Sequence, residues 1–436
     1  RAGYNNVTGK SNTYLGFLAG QGATGGSNSG NTGLGKDALL AITDGTNNVA
    51  VGVDAGTAIT TGDQNVFIGA GAGYATQDVD KAVIIGNDAG LAVMTGGGGA
   101  DGTVAIGASA LGALTSGEQN TAVGYTSLQS QTTGGFNTAV GYESLKSLVH
   151  ANADGNTAIG NGALKSLVTG AANTAIGNGA ADAFGAGETD NTVIGANAMG
   201  SMDEGSGQVD QNIAIGANAL LGKDIGGSST AIVDNIAIGT QAMDSGSIGA
   251  QTGIVAIGAQ SLGALTSGAG NLAVGYTALS ACTTGAKNLA IGDEALNAMV
   301  EGGGNVAIGH EAMKGANHAD CDNNIAIGAN AMDGISTNGA GWNIGIGADA
   351  LGAALTGDNN VAIGQAAGGA VTSGASNTML GYGAGTAVAQ GSRNIAIGAY
   401  AMETNTHGPD NIVIGYEAAE NAKGDGGETG FTQNII

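Results

Sequence analysis

The residues in this chain best suited to ligate a metal crowd into one stretch, HEAMKGANHADCDNN, which holds His310, His318, Asp320, Cys321 and Asp322. Imidazole, thiolate and carboxylate are metal ligands by type. No second Cys or His stands at finger spacing, so the stretch reads as a solvated insertion, with His318, Asp320 and Asp322 its weak candidates for an ion. GNTGLGKD, residues 30–37, imitates a phosphate-binding loop, but Asp37 stands where Ser or Thr should hold Mg²⁺. Acidic residues gather at Asp78 and Asp80, Asp203 and Glu204, Asp320 and Asp322, and Asp425 and Glu428. They suit the solubility of a chain poor in charge. A sharper reading lets Ca²⁺ bridge them, although no calcium-binding nonapeptide is present. Tyr125, Tyr142, Tyr276, Tyr382 and Tyr416, with Phe17, each follow a glycine directly. Outward aromatic rows can bind glycans or proteins, and packing across a chain interface accounts for them equally. Neither a Ser/His/Asp constellation nor a paired-carboxylate cleft is suggested, so these residues point to no enzyme and no cofactor.

The frame that must position them is a repeat. Glycine makes up 86 of 436 residues, proline one, and charged residues only 11%, against about 7% Gly and about 25% charge in an ordinary globular chain. The glycines after an aliphatic residue, from Gly16 and Gly35 through Gly160 and Gly177 to Gly415, give 23 anchors, and 13 of the 22 spacings between them are 17 residues. None is shorter, so 17 residues form the minimum coil and longer coils carry insertions. The pair NTAIGNGAL and NTAIGNGAA shows the columns: Asn156 and Asn173, Ala158 and Ala175, Gly160 and Gly177. Asn stands four before the anchor in 20 of 23 copies, the exceptions being Ala82, Thr103 and Ile254, and Ala or Gly two before it in 17.

Two glycines per 17 residues would cost a helix about 1 kcal/mol each, and the local alternation has period two. The columns therefore predict an all-β fold, a parallel β-solenoid or β-roll of about 23 coils of 17 or more residues. Residues 1–11 form an irregular entry, 12–433 the repeats and 434–436 the start of a further one, in a single domain over 1–436. At about 4.8 Å per coil the stack is expected to be a rod on the order of 110 Å long. Side chains three and one before the anchor are expected to fill the roll, with Asn as a ladder. The flat Ala/Gly column is expected to face outward against neighbouring chains, in a coaxial homotrimer. A second corner is expected at the later glycine, as at Gly62, Gly134, Gly170, Gly268 and Gly374, where positive φ is open without penalty. Cys282 and Cys321 lie two coils apart, beyond the roughly 7 Å disulfide limit, so both thiols are expected to be free.

The N-[TVI]-A-[IV]-G-x-x-[AS] core, seen in NTAIGNGA, NIAIGANA and NVAIGHEA, resembles the head repeats of trimeric autotransporter adhesins. Similar 17-residue repeats, with the TTG and GY elements of VGYTSLQSQTTGGFNTAVGYESL, occur in phage tail fibres and other bacterial fibre proteins. The resemblance spans Asn12 to Ile436. It implies a left-handed roll assembled as a trimer, outside the cell on a cell surface or virion. Coils here are longer than in adhesin heads, and no neck, heptad stalk or membrane anchor is evident.

A net charge of −24 repels nucleic acid and anionic membrane surfaces, and no apolar run could span a bilayer. The expected role is a fibrous attachment protein, an adhesin or tail-fibre shaft, whose partners are copies of itself and a host receptor, glycan or matrix protein. The alternative is a structural filament joined end to end. Ice binding by a solitary solenoid lacks the Thr-x-Thr array it would need. Specific contacts are expected in the insertions at 96–102, 205–210, 226–234 and 318–323.

Overall fold

The computed structural model describes residues 1–94, 99–202, 208–222, 231–245, 251–335, 340–403 and 407–419. Parts of three insertions (96–98, 205–207 and 226–230), together with Asp203, Glu204, Asp425, Glu428 and residues 434–436, lie outside the described residues. The chain divides into two compact units, one holding the described residues up to Ala217 and the other those from Asn218 onward. Both have the same construction. The first stacks twelve three-residue strands from Thr13–Leu15 to Ile213–Ile215, and the second eleven from Ile236–Ile238 to Ile412–Ile414. Neighbours pair in parallel and in register, as Thr174 to Ile176 does against Thr157 to Ile159. The described residues contain no helix. The fold is an all-β parallel β-solenoid.

Each strand ends at its anchor glycine because nothing larger fits. Gly160 has φ +139°, and a Cβ there would lie 2.2 Å from the Gly177 carbonyl oxygen of the next coil. The Asn column forms the expected ladder, inside the roll. The Asn156 side-chain oxygen accepts both the backbone N–H and the side-chain N–H of Asn173 at 3.1 Å. The Asn173 amide also donates to the Glu188 carbonyl at 2.7 Å. The later glycine supplies that carbonyl in shorter coils, as Gly62 does for Asn48.

Two expectations are corrected. The first concerns which side of the strand is inside. Ala158 and Ala175 are fully buried, whereas Ile159 and Ile176 remain 39% and 36% exposed. The Ala column points into the roll, and the Thr/Val/Ile and Ile/Val/Leu columns form its outer face. The reason is volume. A 17-residue coil is narrow, and Leu, Ile or Met from the opposite side already fills it, as Leu164 and Leu167 do, so the strand can send in only a small side chain. Where it sends a large one, its neighbours shrink. Phe67 is fully buried, and Gly56 and Gly73, in the column that elsewhere carries Leu, would place a Cβ 2.8 and 2.4 Å from its ring. Met379 is accommodated by Gly368 and Gly385 in the same way.

The second correction concerns the later glycine. Gly170 and Gly268 have φ of +139° and +119°, but Gly62, Gly134 and Gly374 do not have positive φ. There glycine is required by space: a Cβ on Gly374 would meet the Gly391 oxygen at 2.3 Å. The left-handed residues are instead those two and four after the anchor and the one before Asn, such as Glu143, Leu145 and Phe136.

The volume rule predicts a compensating pair. Phe67→Ala alone should lower stability by about 3–5 kcal/mol, and Gly73→Leu alone should be worse than neutral. Combining the two should recover a large part of the loss, because the Leu then fills the space the ring left. Thermal unfolding of the four proteins measures this, and simple additivity would show that the two sites do not share one volume.

Candidate functional site

The outward columns carry whatever chemistry the roll offers, since the inward ones are consumed by packing. On the strand face, two rows of Thr, Val, Ile and Leu run along each unit with the residue between them buried. The row one before the anchor is the more open, with Leu15, Leu34, Ile68, Ile159, Ile257, Ile291 and Ile363 all exposed.

The tyrosines stand at the edge of this face, one residue past the anchor. All five predicted positions are exposed, from Tyr382 at 48% to Tyr416 at 71%. Tyr125 and Tyr142, on successive coils, stack with ring centroids 5.5 Å apart and planes 15° from parallel. Their faces are therefore turned to each other along the roll, and edges and hydroxyls meet solvent, so a sugar ring cannot lie between them. Tyr382 meets Tyr400 edge to face at 5.1 Å. Tyr400 lies one column further on and escaped the sequence pattern for that reason. Tyr276 sits on another coil, and the five do not form one continuous row.

Beyond the edge runs a groove between the residues two and five after the anchor. Its carboxylates behave in two ways. Glu143 receives Lys146 at 2.7 Å and Lys165 at 2.6 Å, and these hydrogen bonds hold its carboxyl down at about 2. Lys314 likewise bridges Glu294 and Glu311, which pushes its own ammonium up to about 12. Asp182, Asp244 and Asp333, all five after an anchor, form no ion pair with a lysine among the described residues, and partial burial raises each above the usual carboxylate range. Cavities open in this groove at Gln241, Asp244 and Gln260, about 230 Å³, and at Val53, Asp54, Tyr74 and Asp88, about 300 Å³.

The corner carboxylates are mostly structural. Asp80 accepts the Asp63 amide at 2.7 Å, and Asp63 the Thr46 amide at 2.6 Å. Asp322 does the same for Gly303 at 2.6 Å. This divides the candidate metal stretch. Cys321 points into the roll, Asp322 is turned to the neighbouring coil, and His318 Nδ1 and Asp320 Oδ2 lie 3.4 Å apart outside. Among the described residues no group of three or more His, Cys, Asp or Glu is placed to hold a metal. Cys282 and Cys321 are both buried and free, and burial pushes the Cys282 thiol up to about 11.

No protein-family model and no curated protein matches the chain. Among the described residues no helix is long and apolar enough to cross a membrane.

Glu143 titrates with a defined sign. Its folded value lies below its ordinary one, so its contribution to stability is complete above about pH 4.3 and is lost as pH falls toward about 2. Glu143→Gln should flatten the fall in melting temperature across that window and leave the slope above pH 5 unchanged. A wild-type slope at low pH in the variant would show that folding does not lower the Glu143 carboxyl.

Proposed function

We propose that this chain is the shaft of a surface-attachment fibre, a homotrimer in which three copies pack their strand faces together and turn the edge and groove columns outward. The observation that carries this reading is the pair of outer rows, one wholly aliphatic and the other mixing Thr with Val, Ile and Leu. A β face that meets water ordinarily carries polar side chains, and extended exposed apolar patches mark interaction sites. Here the outer rows hold Thr, Val, Ile and Leu in every strand of the repeat, with no charge among them. A partner built on the same repeat would match their spacing without adjustment, which favours another copy of the chain over an unrelated surface.

The assembly would be extracellular, on a cell or a virion. Its binding partner, a receptor, glycan or matrix protein, would meet the exposed tyrosines and the loops of the longer coils. No step of chemistry is assigned to the chain. The resemblance of NTAIGNGA to adhesin and tail-fibre repeats supports the same reading.

Light scattering should give three times the 41.4 kDa chain mass. The variant Ile159→Lys with Ile176→Lys places two charges on the face and none in the core, so it should shift the mass toward one chain while the circular dichroism spectrum is retained. A wild-type monomer, or a trimer indifferent to these charges, would overturn the seam.

A further inference from the structure

Twice along the outer groove the chain answers its own carboxylates with lysine. At Glu143 the ammonium groups come from Lys146 and Lys165, and at Glu294 and Glu311 both bonds come from Lys314. The geometry is the same each time. A carboxylate two after an anchor receives a lysine five after an anchor, on its own or an adjoining coil.

A third stretch of this groove has the carboxylates without the lysine. Asp54 and Asp88 stand two after their anchors on coils separated by one, and the fifth-position residues are Thr57, Tyr74 and Leu91. Gly71 lies between them with φ +68°, and a Cβ there would fall 2.5 Å from Asp88 Oδ1. Glycine thus leaves the floor open for that carboxylate to lean over it. The resulting cavity of about 300 Å³ has Val53, Tyr74 and Leu91 as exposed apolar walls. Both aspartates are half-buried, and among the described residues neither is in an ion pair. Lys36, one after its anchor rather than five, is held by Asp37 at 2.7 Å, and its charge also acts on Asp54 and Tyr74.

We propose that this cavity binds a lysine side chain presented by a basic segment of another protein, in the place that the chain's own lysines fill elsewhere in the groove. The polar groups match an ammonium better than a sugar hydroxyl. An ammonium has three donors and no acceptor, and the cavity is lined by two carboxylates, Asp54 and Asp88, while one N–H of the Asn87 amide is engaged by the Ala70 carbonyl at 3.1 Å. The apolar walls suit a four-carbon stem whose charged head reaches past them. The net charge of −24 attracts such a partner from a distance. The proposal does not depend on assembly, because the groove and the strand face are different columns of the coil.

The test uses the full chain and a small probe, Nα-acetyl-lysine methylamide, followed by saturation-transfer NMR and titration. Saturable binding with the strongest transfer to the side-chain methylenes is expected. Acetylating the probe's side-chain amine, or using Asp54→Asn with Asp88→Asn, should weaken binding about tenfold or more. Tyr74→Ser should weaken it with charge unchanged, and Asp293→Asn, an exposed carboxylate on a distant coil, should leave it unchanged. Circular dichroism confirms that each variant is folded. Absence of saturable binding, indifference to acetylation of the probe, or an equal loss in Asp293→Asn would overturn the proposal, the last by showing attraction to diffuse charge alone.

Discussion

Most coils depend on the stacking of one buried amide on the next, Ala82, Thr103 and Ile254 being the exceptions. The Asn side chain is the only polar group the narrow interior admits in quantity, and it is admitted because all of its bonding capacity is met. Its oxygen takes two N–H groups from the next Asn, and its nitrogen reaches back to the previous Asn and forward to a carbonyl. An isolated buried amide would cost several kcal/mol. Within a ladder, the same group fixes register, because a slip by one residue would strand every amide in the stack.

That ladder sets the coil, and the anchor glycine closes it. With consecutive anchors approaching to within what a methyl group would occupy, the backbone path is the same in coil after coil. Side-chain variation is then possible only inward, under a volume limit, or outward, with no limit. Non-glycine residues repeatedly held at positive φ, such as Leu145, Leu164 and Glu143, show how strongly stacking overrides local preference. Each such residue costs roughly 1 kcal/mol on its own, and each is held by hydrogen bonds to its neighbours, as Leu164 is by the Ala180 carbonyl.

The period, the strand position, the Asn ladder and the free thiols were legible because each rests on spacing or residue type alone. The inside and outside of the strand were not, since alternation shows two faces without saying which is buried. The signal that decides it lay in the exceptions. Where the Ala column departs from Ala or Gly it carries Tyr14, Phe67, Ile84, Val193, Met379 or Val413, never a charge, and glycines in the column four after the anchor accompany the bulkiest of them. A surface column would have drifted toward polar residues. The division of the candidate metal stretch was illegible for a related reason: Cys321 and Asp322 are adjacent in sequence but fall on opposite sides of the chain.

The same inversion relocates function. Had the Ala column been the outer face, close approach of backbones would have been the chain's main offering to a partner, and the aliphatic columns would have been spent on the core. With those rows outside, the coils present three separate surfaces: a strand face of Thr, Val, Ile and Leu, an edge that is aromatic only on certain coils such as those of Tyr125 and Tyr142, and a groove of carboxylates and amides. Their chemistry differs. The strand face repeats with the period of the coil and carries Thr, Val, Ile or Leu without charge in its two outer rows. The groove varies from coil to coil, neutralised by lysine at Glu143 and Glu294 and open at Asp54 and Asp88. Specificity in a repeat protein requires such variation, because a column that is identical in every coil offers a ligand no reason to stop at one of them.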